Sequence, residues 1–289
     1  MNLATFTHGG STRLGIIHGD EIADLGGSEL PDDMISLLEG GDAVLARAKE
    51  IGEVAPRIEI DAVRLESPIA RPPKILAVGL NYADHVAESG MDTPANPMIF
   101  NKQSTSANGP FDDFHRPNYS TALDYEGELA FVIGKRCRHV PRDRAQDVIA
   151  GYTVANDVSV RDWQLRVPTF TMGKSNDTHC PMGPGIVTSD EIADPHALDL
   201  KTWVNGELRQ STNTKHLIFD CFTLVEHLST AFTLEVGDVI LTGTSGGVGI
   251  AMKPPKLLVA GDVVKIAIEG IGEIENRVIE EPAETARIG

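Results

Sequence analysis

The chain has 289 residues, 41% hydrophobic and 23% charged, enough for a substantial core in one large domain or a large and a small one. A formal net charge of −17 argues against a nucleic-acid or anionic-membrane surface, since both need clustered Lys and Arg. Cys137, Cys180 and Cys221 are too few and too scattered for a disulfide framework or a zinc site. With no charged-then-apolar leader and no apolar run of membrane-spanning length, a soluble, cytoplasmic protein is expected.

Residues 1–66 read as a small α+β domain. Leu3–Phe6 and Arg13–Ile17 suggest a hairpin, Glu21–Asp24 a third strand, and Met34–Lys49 a helical stretch interrupted by Gly40 and Gly41. Residues 67–73, rich in proline, form a linker that extends neither helix nor sheet. The larger unit, 74–289, opens with a buried strand, Lys74–Gly79. Further strands are expected at Leu129–Ile133, Gly151–Ala155, Leu200–Val204, Val239–Thr242 and Val263–Ile268, with one clear helix over Asp220–Ala231. The fold class is therefore mainly β, of α+β type.

Leu123–Gly134 begins acidic and ends apolar. On a strand, Asp124, Glu126 and Glu128 would project to one side, where their mutual repulsion calls for a cation. Oxygen ligands select Mg²⁺ or Mn²⁺, then Ca²⁺, over zinc; a solvated acidic edge strand is the other reading of the same spacing. His85 and Glu88 are one helical turn apart, so the carboxylate can orient the imidazole as a general base, although H-x-x-E also describes ordinary surface pairs. Asp157 ends an apolar strand, and Arg161 and Gln164 come after it at helical spacing. Arg161 is a candidate carboxylate clamp, Gln164 a candidate donor, and strand-end packing is their plainer role. Lys174 is a candidate cation for an anionic substrate or for the metal's carboxylates. The phosphate-loop reading of Gly173-Lys174-Ser175 fails because Pro168 stands where a glycine is required. Gly243-Thr-Ser-Gly-Gly247 matches the nucleophile-elbow pattern, but the last histidine, His227, precedes it, which excludes that serine mechanism on order. The same turn can present Thr244 and backbone N–H groups to a carboxylate, or be only a turn.

The segments GLNYADHVAE, IFNKQST, DYEGELAFVIG, GYTVANDVSVRDWQ, GKSNDTHCPMGP, WVNGELRQ, GDVILTGTSGGVG and GDVVKIAIEGIGEIENRV, in that order, resemble the fumarylacetoacetate hydrolase family over residues 74–279. The resemblance implies a rolled-sheet catalytic domain, a Mg²⁺ or Mn²⁺ site and a homodimer. It places the metal carboxylates on Glu126, Glu128 and Asp157, the water-activating pair on His85 and Glu88, and the active-site lysine on Lys174. Arg161, Gln164 and Thr244 take the substrate-binding positions, leaving Asp124 at best a supporting role. Ser245 and Asn176 depart from the family's usual residues near the expected substrate tail, and Asn81 stands nearest to an extra aspartate ligand.

The activity that the resemblance implies is metal-dependent hydrolysis of a C–C bond in a 2,4-diketo acid, an acylpyruvate, giving pyruvate and a carboxylic acid. The pieces MKPP and WVNGELRQ resemble most those of members that cleave diketo-deoxy sugar acids, which implies a sugar-acid tail. The same site would serve oxaloacetate decarboxylation or hydroxymuconate isomerisation, and a non-catalytic small-acid binder is the alternative of a different class.

Overall fold

The computed structural model describes residues 1–285 and is strand-rich, of mixed α+β type. β1 (Asn2–His8), β2 (Ser11–His18) and β3 (Glu21–Asp24) form a meander, followed by α1 (Met34–Glu39), α2 (Gly41–Val54), β4 (Arg57–Glu59) and β5 (Arg64–Leu65). Next come β6 (Ile75–Gly79), α3 (Ala83–Ser89), β7 (Met98–Lys102), β8 (Ala107–Asn108), β9 (Phe114–Arg116), β10 (Leu123–Asp124) and β11 (Gly127–Ile133). β12 (Ile149–Asn156), β13 (Ser159–Val160), α4 (Arg161–Gln164), α5 (Thr171–Lys174) and β14 (Cys180–Thr188) make up the middle. β15 (Asp199–Val204), β16 (Glu207–Asn213), α6 (Cys221–Ala231), β17 (Val239–Leu241), β18 (Val263–Ile268) and β19 (Gly272–Glu280) complete the order. Among the described residues no helix is long and apolar enough to cross a membrane.

Twelve strands make the main sheet, in the order β4-β3-β2-β1-β14-β12-β11-β17-β6-β7, with β5 on β1 and β8 on β14. A second sheet runs β16-β15-β18-β19-β9. β11 is buried on both faces: Leu129, Phe131 and Ile133 join one core, Ala130 and Val132 the other. The first core is completed by the second sheet (Leu200, Ile266, Ile274) and by α6 (Leu224, Leu228), whose cap residue Asp220 accepts from the Thr223 N–H. α1 closes the second core with Leu37 and Leu38.

Residues 1–66 are built into this sheet. β1 pairs with β14 (Asn2↔Val187, Leu3↔Ile186), and Leu3, Leu14 and Leu37 share a core with Val132, Ile186 and Leu241. A Cβ at Gly185 would lie 2.6 Å from the Leu3 carbonyl oxygen, so glycine is what lets β1 approach. The segment 67–73 contains neither helix nor strand.

The strand ends fix the site. β11 begins where β12 ends (Gly127↔Asn156), and the Asp157 N–H donates to the Glu126 carbonyl at 2.9 Å. β17 ends alongside, and the N–H of Thr242, just past its end, donates to the Leu129 carbonyl at 3.0 Å.

Candidate active site

Glu126, Glu128 and Asp157 meet with one oxygen of each within 4.8 Å of the others, and all three are buried. Period-two alternation puts Glu126 and Glu128 on one side, and the β11–β12 register brings Asp157 beside them. Asp124 does not join them as the strand spacing led one to expect. β10 stops there, the chain passes through Tyr125, and Asp124 instead accepts the N–H groups of Gly249 (2.8 Å) and Ile250 (3.0 Å).

Buried cations surround the carboxylates. Lys174 Nζ donates to Glu126 Oε2 at 2.8 Å and to Asp157 Oδ2 at 2.7 Å. Lys102 Nζ donates to Asp157 Oδ1 at 2.7 Å and to the Lys174 carbonyl oxygen. Arg161 gives Nη1 to Glu126 Oε1 (2.5 Å) and Gln164 Oε1 (3.0 Å), and Nε to Asp124 Oδ2 (2.8 Å). Its Nη2 also lies 2.8 Å from Asp124 Oδ2 but is out of line to donate. Arg161 therefore offers the cavity positive charge more than a free guanidinium fork. The two residues share the short helix α4, which the chain enters through β13 and not by a helical turn from Asp157. A Cβ at Gly173 would fall 2.2 Å from the Gln164 backbone nitrogen, so this glycine seats α5, and with it Lys174, directly on α4.

Three buried cations (Lys102, Lys174, Arg161) face four buried carboxylates (Asp124, Glu126, Glu128, Asp157). The unmatched charge sits at Glu128, which accepts the Gly243 N–H at 2.6 Å and has no cationic side chain in contact among the described residues. Burial, then the nearby Asp157 and Glu126 carboxylates, raise the Glu128 carboxyl well above its ordinary range. Burial acts the same way on Glu126, but Lys174, Arg161 and His85 outweigh it and hold that carboxyl low. For Lys174, burial opposes the charge, and Asp157 and Glu126 more than restore it.

This donor set fits a hard divalent cation. All its donors are carboxylate oxygens, one net negative charge awaits a partner, and 4.8 Å is close to the roughly 4.2 Å across an octahedral Mg²⁺ site. Asn81 adds no ligand. Its amide donates to the Phe219 and Thr242 carbonyls and accepts the Phe219 N–H, tying the exit of β6 to the end of β17.

A cavity of about 320 Å³ opens onto Glu126, Lys174 and Arg161, with Gln164 and Thr244 also in its wall. α3 covers part of it. His85 Nδ1 lies 2.9 Å from Glu88 Oε1, and Glu88 Oε2 accepts the Gly247 N–H at 2.9 Å, which ties α3 to the glycine-rich turn. Against an ionised Glu88, which can only accept, Nδ1 is the donor of the pair, and in the neutral ring this leaves Nε2 as the free acceptor. Thr244 spends its hydroxyl on the protein, donating to the Gly127 carbonyl (3.0 Å) and accepting from Gln210 Nε2 (2.7 Å). Ser245 and Asn176, expected near the substrate tail, do not line the cavity; Asn176 accepts from the Tyr119 hydroxyl on another surface.

Sequence reasoning passed over two buried residues here. Gln210, on β16, also takes the Gly127 N–H on Oε1 (3.0 Å), so it pins the 243–247 turn to β11. Lys102, at the end of β7, holds both a metal carboxylate and the backbone of Lys174. Lys102→Met is expected to weaken Mn²⁺ binding by about 10–100-fold, as loss of a ligand's hydrogen-bond partner does. Calorimetric Mn²⁺ titration measures it, and wild-type affinity would show that Asp157 needs no such support.

The chain matches the family described as fumarylacetoacetate (FAA) hydrolase C-terminal over residues 74–279. It is 44% identical to the mitochondrial oxaloacetate tautomerase Fahd2a of Rattus norvegicus over 252 residues, 86% of this chain and 80% of that one. The solved fumarylacetoacetate hydrolase of psychrophilic Exiguobacterium antarcticum superposes with a TM-score of 0.86 at 39% identity, covering 97% of this chain and 100% of the other. Maleylpyruvate hydrolase of Sphingobium sp. SYK-6, solved with manganese (II) and pyruvate, gives a TM-score of 0.82 at 35% identity, covering 98% and 100%. With the buried carboxylate cluster in place and the match running through every segment that builds it, the chain belongs to the fumarylacetoacetate hydrolase family, an enzyme family.

Proposed function

We propose that the protein is a divalent-metal-dependent hydrolase that cleaves the C3–C4 bond of a 2,4-diketo acid. The observation that carries this reading is the His85–Glu88 pair, 2.9 Å apart, in the wall of the cavity that Glu126 and Lys174 also line. Bound by Glu126, Glu128 and Asp157, the ion would supply a Lewis acid that polarises the oxygens of the 2-oxo acid. His85 Nε2 takes the proton from water as it adds to C4, and Glu88 holds the ring and steadies its charge. Lys174 and Arg161 set a positive field where the departing pyruvate fragment gains negative charge, and the C3–C4 electrons end on C3 with a proton. The Sphingobium enzyme, solved with manganese and pyruvate, supports this assignment of the acid-binding end.

Oxaloacetate tautomerisation is the second reading, favoured by the 44% identity to the rat tautomerase. It needs only a proton moved between C3 and the enol oxygen, and His85 is placed to move one. Turnover of an acylpyruvate in ¹⁸O-water separates the two. Hydrolysis puts one ¹⁸O into the carboxylic acid and releases equimolar pyruvate. Exchange at C3 without any acid released would replace hydrolysis by tautomerisation.

A further inference from the structure

We infer that the acyl tail this cavity accepts is a neutral hydrocarbon, not a polyol and not a second carboxylate; the inference rests on the diketo-acid reading above. The cavity wall mixes the charged groups of the site with a larger apolar part. That apolar part is carbon, with Met91, Met98, Phe100, Leu165, Phe170 and Ile250 among its residues. Phe100 and Phe170 meet edge to face, 5.8 Å between centroids, and the Lys174 ammonium lies 5.0 Å from the Phe100 ring centre, so apolar wall begins directly beside the lysine.

Among the described residues of the wall, a tail carboxylate would find no spare cation. The lining holds Arg161, Lys174 and His85, and each already serves protein carboxylates: Asp124 and Glu126, Glu126 and Asp157, and Glu88 respectively. Glu88 and Glu126, also in the wall, would repel it. Hydroxyl groups fare little better. Ser89 donates to the Val86 carbonyl and accepts the Met91 N–H, Thr244 is committed to Gly127 and Gln210, and Gln164, whose Oε1 takes Arg161, keeps only its Nε2 to offer. A buried hydroxyl without a partner loses affinity, whereas each buried methylene gains it. The segments that suggested a sugar acid, residues 203–210 and 252–255, contribute no residue to the cavity wall; Arg209 donates instead to the Met252 sulfur.

The test is kcat/KM of the metal-loaded enzyme on acylpyruvates sharing one head and differing in R: methyl, propyl, butyl, carboxyethyl and trihydroxypropyl. Each methylene from methyl to butyl should raise kcat/KM about fourfold. Carboxyethyl should fall about a hundredfold or more below butyl, its near-isostere, and trihydroxypropyl should fall below propyl. A flat series, or a polar tail turned over best, overturns the inference while leaving hydrolysis standing. Enol loss across the series with no pyruvate from any member overturns instead the reading beneath it. Leu165→Arg, on a side chain 69% exposed and so tolerant of charge, should narrow the carboxyethyl–butyl gap about fivefold. An unchanged gap would mean that the tail does not reach this wall, against the assignment.

Discussion

Glu128→Gln is expected to make the metal-free protein more stable while abolishing metal-dependent turnover. Glu128 is the one carboxylate of the trio without a buried cation, and it is pressed by both Asp157 and Glu126. A glutamine keeps the acceptor for the Gly243 N–H and removes the charge. The gain should be about 1–3 kcal/mol, a few degrees in melting temperature. Its pH dependence comes from the direction of the shift. A carboxyl raised above 4.5 on folding contributes stability that is full below 4.5 and is lost as pH rises through the folded value. The variant's advantage in EDTA should therefore grow as pH rises above 4.5. Metal affinity should fall by more than the roughly 10–100-fold that loss of a ligand's outer partner costs. Glu126→Ala should also remove activity and metal affinity, with the opposite sign on stability. It takes one of the two carboxylate partners from each of Lys174 and Arg161, which keep Asp157 and Asp124, and the buried donors left unpaired cost about 1–3 kcal/mol. Thermal unfolding in EDTA, paired with Mn²⁺ calorimetry, reads both variants. Destabilisation by Glu128→Gln, or retained metal binding, would contradict the charge count on which the metal assignment stands.

The second large effect is kinetic. His85→Ala should lower kcat for hydrolysis by about 10²–10⁴-fold, the usual worth of a positioned proton acceptor. Mn²⁺ affinity should stay at the wild-type value, because no hydrogen bond joins His85 to a metal carboxylate. Loss of metal along with activity would mean that the histidine supports the cluster and not the water.

Local chemistry in this chain was legible before the fold was known. Period-two alternation sufficed to pair Glu126, one residue before β11, with Glu128 on it, and one helical turn sufficed to pair His85 with Glu88, because each pair is close in sequence. The hairpin of β1 and β2, the β3 strand and the helix capped by Asp220 were readable for the same reason. Hidden features depended on contacts distant in sequence. Lys102 comes after a short apolar run and reads as a strand-end surface lysine, until β7 is seen to deliver it to Asp157, 55 residues on. Asp124 shares the spacing of the other two carboxylates but is drawn off by the backbone of residues 249–250, more than 120 positions away. β14 carries Pro181, Gly183, Pro184 and Gly185, residues that argue against a strand, yet it is the one that joins residues 1–66 to the main sheet.

Pyruvate release from an acylpyruvate by dialysed protein, assayed with and without added Mg²⁺ or Mn²⁺, addresses the central claim most directly. Dialysed protein should show no turnover, recover it on adding metal, and release one pyruvate for each enol consumed. Metal-independent release would contradict the carboxylate cluster's role, and metal-dependent loss of the enol without pyruvate would contradict hydrolysis.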